Sequence, residues 1–503
     1  MKPYLRSRRP ALGRTPRRDG ASVQGHLSTW VESIVSQTMA ETAKLKSSNR
    51  ALDLYVNDAM GHGLLESLIV ETVGIGLTPQ FAPDHEALGL DATWADEFGA
   101  QLGRIWNNWG LDCRKWCDAQ RRLDIYGLQQ LAYFSWRLDG IGLFQIRSKA
   151  GRRPSPLAVL PLDPARLVTP SGASDLPIYD GVEVDDDGMP VKVWLAKPSA
   201  IKRLGTSYSK SECTAYDVWD EATGLPKILM VTGVRNIAEY RQDSIMGPMI
   251  EELRNNRDFV GAALVRAMLS NLFVAFVENA GARGDLDWSE RVVELEKGTI
   301  LQGNKQEVPH FFKQEAQPQG YREMFDSIVD RLGMCTSRGS ENVSRKYQAS
   351  YSASKASMVK AQQVNSVEHM TLNSNFNQPI LMWLVYERAM AGALSVPSTQ
   401  TLFKDLNELS RADWMPQPMP EIDRAKKANA IQTELETHQT TYAEVYAEKS
   451  ADWRKKLRQR AKEKAYIKQL ESEFEISMEP GAAEPMQAPA NQPDDEGSDQ
   501  EAQ

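Results

Sequence analysis

The chain has 503 residues, which at ~100–200 residues per domain makes about three domains. Apolar residues supply 41% of it, enough for folded cores, and charged residues 25%, an ordinary globular share. The net charge of −8 excludes a generic polycation that coats nucleic acid, so contact with DNA has to come from local patches or from enclosure.

Residues 1–20 hold seven basic side chains (Lys2, Arg6, Arg8, Arg9, Arg14, Arg17, Arg18), and Asp19 is the one acid. Pro3, Pro10 and Pro16 prevent a regular helix there. The pattern predicts a mobile basic arm over 1–29, either touching DNA or an acidic partner surface or simply solvated. No apolar core region follows it, so no secretory signal is expected.

Residues 27–75 read as helical, ended by Gly74, Gly76 and Pro79. Residues 93–138 carry more helix, with seven aromatics from Trp106 to Trp136 that read as core material. Over 139–200 the period changes. Phe144-Gln145-Ile146, Val182-Glu183-Val184 and Val191–Leu195 alternate between turn residues, which predicts a β-rich module. A long helix is expected over 245–278. Its stretch 259–277 is the longest apolar run, but Arg266, Ser270 and Asn271 interrupt it, so it reads as a buried or interface helix and not as a membrane span.

In 321–332, Tyr321, Met324, Phe325, Ile328, Val329 and Leu332 share one helical face. A Ser-rich polar stretch over 336–354 follows. A helix is then expected from about 355 to 391, with a kink at Pro379. Residues 421–470 are helical in composition, and 476–503, with seven acids, four prolines and no base, predict a disordered acidic tail.

Catalytic patterns are missing. There is no G-x4-G-K-[ST] phosphate loop, no G-x-G-x-x-G after a strand and no G-x-S-x-G elbow. The six histidines (His26, His62, His85, His310, His369, His438) make no metal spacing. Asp185-Asp186-Asp187 before Gly188 reads as a turn between strands rather than as a metal cluster. Cys113, Cys117, Cys213 and Cys335 make no disulfide framework and fit a reducing compartment. The C-x3-C spacing of Cys113 and Cys117 lacks a second Cys or His pair, so a helix face or loop is expected there rather than zinc. No enzyme activity, cofactor, metal or membrane contact is expected.

Four segments resemble the lambda-type portal proteins of tailed bacteriophages. Leu162-Asp163-Pro164-Ala165-Arg166-Leu167 is followed by Ile178-Tyr179-Asp180-Gly181-Val182-Glu183-Val184-Asp185-Asp186-Asp187-Gly188-Met189-Pro190, a strand, a tight turn and a returning strand. Gln348–Ser357 is similar to the family's segment at the start of a long kinked helix, and Trp383-Leu384 stands near that helix's end. Ala51–Pro83 and Trp106–Phe144, including Cys117-Asp118, resemble two further family segments, so the likeness spans about 30–470. Met246-Gly247, Ile141-Gly142 and Lys355 depart from the family pattern; Lys355 keeps the charge of the usual Arg but not its bidentate fork.

The resemblance implies an α+β portal fold, mainly helical, assembled as a ring, usually a dodecamer. It divides the chain into wing (30–244), first stem helix (245–278), clip (279–313), second stem or wing helix (314–336), tunnel loop (337–354), kinked tunnel helix and wing (355–420) and helical crown (421–475). It implies a place at the capsid's portal vertex in the virion, and in the host cytoplasm during assembly. Double-stranded DNA, the terminase large subunit, the major capsid and scaffold proteins and a head–tail adaptor are the implied partners. Arg338, Arg345, Lys346 and Lys355 are the candidates for DNA contact at the tunnel loop, or for pairing with acids of neighbouring subunits. Arg454, Lys455, Arg458 and Lys462 are candidates in the crown, on a helix whose Trp453, Leu457 and Ala461 form an apolar stripe. Another virion head protein, or a DNA-processing enzyme without recognisable motifs, are the alternative readings.

Overall fold

The computed structural model describes residues 37–173, 175–200, 207–237, 239–272, 276–279, 307–310, 321–347, 350–417, 424–449 and 451–474. The expected basic arm, the expected acidic tail and most of 279–313 lie outside the described residues. The protein mixes helices with small sheets and divides into two units. The first comprises the chain up to Gly76 together with Phe81–Arg411; the second comprises Leu77–Gln80 and the chain from Ala412 onward.

The first unit starts with α1 (Gln37–Asn57) and α2 (Ala59–Thr72). They are separate helices because Asp58 stands between them in an extended conformation and accepts from Gly61 N at 2.8 Å, capping α2. After α2, Gly76 at φ 115 lets the chain pass the Tyr126 ring, which an added Cβ would meet at 2.2 Å. Strand β1 (Thr78–Phe81) precedes α3 (Ala92–Gly110) and α4 (Ile125–Asp139), which Asp91 and Asp124 cap. Trp106, Trp109 and Tyr133 are buried core aromatics, as their helical setting predicts.

The β-rich module forms two antiparallel sheets. One has the order β3-β2-β8, from β2 (Gly142–Ser148), β3 (Leu157–Leu162) and β8 (Ile228–Val231). The other has the order β4-β5-β6-β7, from β4 (Ile178–Tyr179), β5 (Val182–Val184), β6 (Pro190–Ala196) and β7 (Cys213–Asp217). Leu143, Leu162, Val182, Val193, Leu195 and Ile228 share one core across both sheets. Strand β6 is covered on its other face too, where Trp194 and Ala196 pack with Ile178 and Cys213. Asp180 and Gly181, both at positive φ, make the tight turn from β4 to β5. Asp185 Oδ1 accepts from Asp187 N at 3.0 Å and Met189 N at 2.8 Å, so the triple-aspartate run is the turn from β5 to β6.

The helix expected over 245–278 is shorter. A 3-10 turn, Gly247–Met249, leads into α5 (Ile250–Leu272). Beyond it, Phe276–Asn279 is strand β9, antiparallel to β10 (Glu307–His310). Phe276 and Val277 favour a strand, and the cross-strand ladder satisfies their backbone groups. Val260, Leu264, Val265 and Met268 of α5 are exposed, so the described residues do not bury this helix as one half of the expectation had it. In α6 (Tyr321–Thr336), Val329 and Leu332 are buried, and Met324, Phe325 and Ile328 are half-buried on the predicted face.

The stretch read as a tunnel loop is partly helical. It holds α7 (Ser340–Ser344), and α8 begins inside it, at Tyr351, and runs to Leu372. The kink takes the form of a π-helical turn, Asn373–Asn377, before α9 (Gln378–Met390). Pro379 cannot donate to the preceding turn, and the widened turn accommodates it. Leu384 is buried, and Trp383 Nε1 donates to Pro226 O at 2.8 Å. Helices α10 (Thr399–Lys404) and α11 (Leu406–Leu409) complete this unit.

In the second unit, β11 (Ala412–Met415) pairs with β1. It continues into α12 (Arg424–Glu436), α13 (Tyr442–Ala447) and α14 (Trp453–Phe474). Thr441 and Glu444 form a capping box on α13.

Candidate nucleic-acid interface

Between α6 and α8 the chain reverses sharply. Ser337, Gly339 and Arg345 all have positive φ, at 59°, 82° and 55°. Gly333 allows the fold-back, since a Cβ there would lie 2.3 Å from Ser340 N. Asn342 is buried inside the turn. Its Nδ2 donates to Arg338 O at 2.7 Å and to Ser357 Oγ at 3.1 Å, and its Oδ1 accepts from Tyr347 OH at 3.1 Å. The segment is thus tied to α8 from within.

Arg338 holds it from the other side. Its side chain is 1% exposed and reaches three helices. Nη2 donates to Glu368 Oε2 at 2.5 Å, to Asn365 Oδ1 at 2.7 Å and to Thr72 Oγ1 at 2.9 Å. Glu71 Oε2 lies 3.6 Å from Nε. Tyr133 OH donates to the same Glu368 oxygen at 2.7 Å, and Arg137 approaches the other at 3.5 Å. His369 Nε2 sits 2.6 Å from Thr72 O.

The network is electrostatically self-contained. Burial alone raises the Glu368 carboxyl, but Arg137, Arg338 and the Tyr133 hydroxyl outweigh it and hold the group below the ordinary carboxylate value. Burial pushes the Tyr133 hydroxyl up to about 12. It raises Glu71 against the pull of Arg338 and Arg345, and it lowers His369.

The structure therefore separates the tunnel-loop candidates. Arg338, read as a DNA contact or a partner to a neighbour's acid, is enclosed by its own chain: Glu368 and Glu71 neutralise it, and no face of it is open to a phosphate. Arg345, Lys346 and Lys355 are exposed. Lys346 Nζ lies 5.6 Å from the Phe325 ring centre, which steadies its stem while leaving the ammonium in solvent. Sequence reasoning missed Thr72, Tyr133, Asn365, Glu368 and His369. Each looks like an ordinary helix residue, and only the fold brings them to Arg338.

In the second unit, Arg454, Lys455, Arg458 and Lys462 are exposed on α14. No residue of that helix is buried; Trp453 and Leu457 of the expected stripe are half-covered and Ala461 is exposed. Among the described residues, no group of three or more His, Cys, Asp or Glu could hold a metal, and no helix is long and apolar enough to cross a membrane.

A family model described as phage portal protein, lambda family, matches residues 25–368. The chain belongs to the lambda family of phage portal proteins. The match ends within α8, short of the 30–470 span of the sequence resemblance, so it takes in Arg338–Lys355 and leaves out Trp383-Leu384 and α14. No curated protein matches this portal chain. Among solved structures it is similar to a chain in the virion of a native gene transfer agent particle, at 11% identity and TM-score 0.41, covering 80% of this chain and 93% of that one. It is also similar to a chain in the neck of an empty gene transfer agent particle, at 12% identity and TM-score 0.40, covering 70% and 92%. A chain in the neck of the native particle, computed with C12 symmetry, follows at 13% identity and TM-score 0.35, covering 64% and 85%.

Proposed function

We propose that this chain is the portal subunit of a capsid vertex in the virion, assembled in the host cytoplasm as a ring, expected to be a dodecamer, through which double-stranded DNA is packaged and ejected. The family match over 25–368 carries the reading. On it, 30–244 serves as wing, 245–278 as the first stem helix, 279–313 as clip, 314–336 as a second stem or wing helix, 337–354 as tunnel loop, 355–420 as the kinked tunnel helix and wing, and 421–475 as crown. Terminase docks during packaging and the head–tail adaptor afterwards, and capsid and scaffold proteins surround the ring.

A conduit must touch moving DNA without gripping it, because each neutralised phosphate adds affinity and a barrier to sliding. Three exposed cations on a pinned segment, Arg345, Lys346 and Lys355, suit weak contact, with Arg338 as the internal anchor rather than a contact. Arg454, Lys455, Arg458 and Lys462 would face packaged DNA. The exposed apolar side chains of α5, with Met334 on α6 and Val359, Val367 and Met370 on α8, are surface that neighbouring copies in a ring would cover.

Light scattering on the purified protein tests this reading. A particle of about twelve times the 56.3 kDa chain mass supports it. A monomer with robust DNA-dependent ATPase or nuclease turnover contradicts it and favours a DNA-processing enzyme.

A further inference from the structure

Outside the segment just described, positive charge gathers around one side chain, Trp116. The loop 112–124 and the hairpin between β2 and β3 supply it. The guanidinium carbons of Arg121, Arg114 and Arg153 lie 3.9, 5.2 and 5.3 Å from the Trp116 ring centre. Arg114 is neutralised by a bidentate pair with Asp112, at 2.6 Å from Nη2. Arg121, Arg122, Lys149, Arg152 and Arg153 have no ion pair among the described residues, although the chain carries more acids than bases.

The cluster is built rather than incidental. Asp118, 1% exposed, accepts from the backbone N–H of Gln120 and Arg122 at 2.8 Å and of Leu123 at 3.0 Å. The loop is stitched to the edge of β3, with Ala119 N donating to Val159 O and Val159 N to Cys117 O. This frame holds Lys115 and Arg121 in left-handed conformations, φ 56° and 59°, which non-glycine residues rarely adopt. Arg153 Nη2 donates to the main-chain carbonyl of Trp116, tying the hairpin to the loop beside the ring. Two buried donors, Trp116 Nε1 and Arg153 Nε, donate to no group among the described residues. Burial, and after it the neighbouring charge of Arg121, hold Arg153 below its ordinary value.

We propose that the Trp116 cluster is a second anion site, one that takes the phosphate backbone of double-stranded DNA at the surface of the first unit. Arginine forks match phosphate oxygens, and stacking on an indole orients them with their N–H edges outward. The cluster lies just before the start of α4, whereas Arg338 meets α4 in its second half, at Tyr133. It is therefore separate from the tunnel-loop cations. The anion chemistry stands on the cluster alone, and the choice of DNA as the polyanion rests on the portal reading.

The test is fluorescence anisotropy of a labelled duplex titrated with the full-length protein across a salt series. The double variant Arg121→Gln/Arg153→Gln should bind at least about tenfold more weakly, and its slope of log affinity against log salt should be shallower by about two, one per lost phosphate contact. Because Arg153 also supports Trp116, Arg121→Gln/Arg152→Gln, which alters two exposed side chains, should give the same direction. Unchanged affinity and slope in both variants overturns the site. Polyglutamate displacing the duplex at lower charge concentration than competing unlabelled duplex overturns the DNA assignment. These outcomes do not depend on ring assembly, which light scattering reads separately.

Discussion

Replacing Arg338 with Ala leaves Glu368 buried with Arg137, 3.5 Å away, as its remaining guanidinium partner, and strips a partner from Thr72 and Asn365. Breaking a buried pair in this way costs about 3–5 kcal/mol, so Arg338→Ala should lower the urea midpoint markedly, while Lys355→Ala, at an exposed position, should change stability by no more than about 0.5 kcal/mol. The same network sets a pH response. Burial lowers His369, so the unfolded chain takes up that proton first, and stability should decline as pH falls below the ordinary imidazole value of about 6.5. Glu368 is held below its ordinary value, so its contribution is present at neutral pH and lost at more acidic pH, as it protonates. Denaturation midpoints followed from pH 7 down through the acid side of the ordinary carboxylate range, to about pH 2, should show both steps, and His369→Gln should remove the upper one while sparing the lower. Arg338 was misread from the sequence for a physical reason. It stands in a polar, Ser-rich stretch that looks solvated, and its acids lie 30 residues downstream and in the distant helix α2.

Among the elements, the hairpin turns were the most legible, because Asp180-Gly181 and Asp185–Gly188 encode their own geometry through positive φ and Asx hydrogen bonds. The kink was legible at Pro379, but not its form, since the π turn also depends on burying Phe376 and on Asn377 accepting from Gln129 at 3.0 Å. The end of α5 was not legible: Phe276 and Val277 suit either a helix or a strand until β10 pairs with them. The arginines around Trp116 were missed because Arg153 joins them from 37 residues away. The junction of α4 with β2 makes a prediction of its own. Gly140 has φ 77, and a Cβ there would lie 1.8 Å from Gln242 O. Gly140→Ala should therefore cost more than the roughly 1–3 kcal/mol of left-handed strain, because the backbone at Gln242 must move. Gly151→Ala, also at positive φ but with nothing within 4 Å, should cost only the strain, and paired thermal melts of the two variants check the difference.

On the scale of the whole molecule, a net acidic chain carries three groups of exposed cations: Arg345, Lys346 and Lys355, the Trp116 cluster, and the basic run of α14. That arrangement fits enclosure of DNA better than tight coating, since repulsion from the chain's acid excess offsets local attraction. The exposed apolar residues of α5, α6 and α8 find no cover among the described residues and are surface that a partner could bury. The most direct measurement of the central claim is cryo-electron microscopy of the purified full-length protein. The expected result is a closed ring with a central channel wide enough for a duplex, Arg345, Lys346 and Lys355 facing that channel, and the apolar side chains of α5 buried between neighbours. Monomers or closed shells would contradict it, as would a ring with those three cations turned away from the channel.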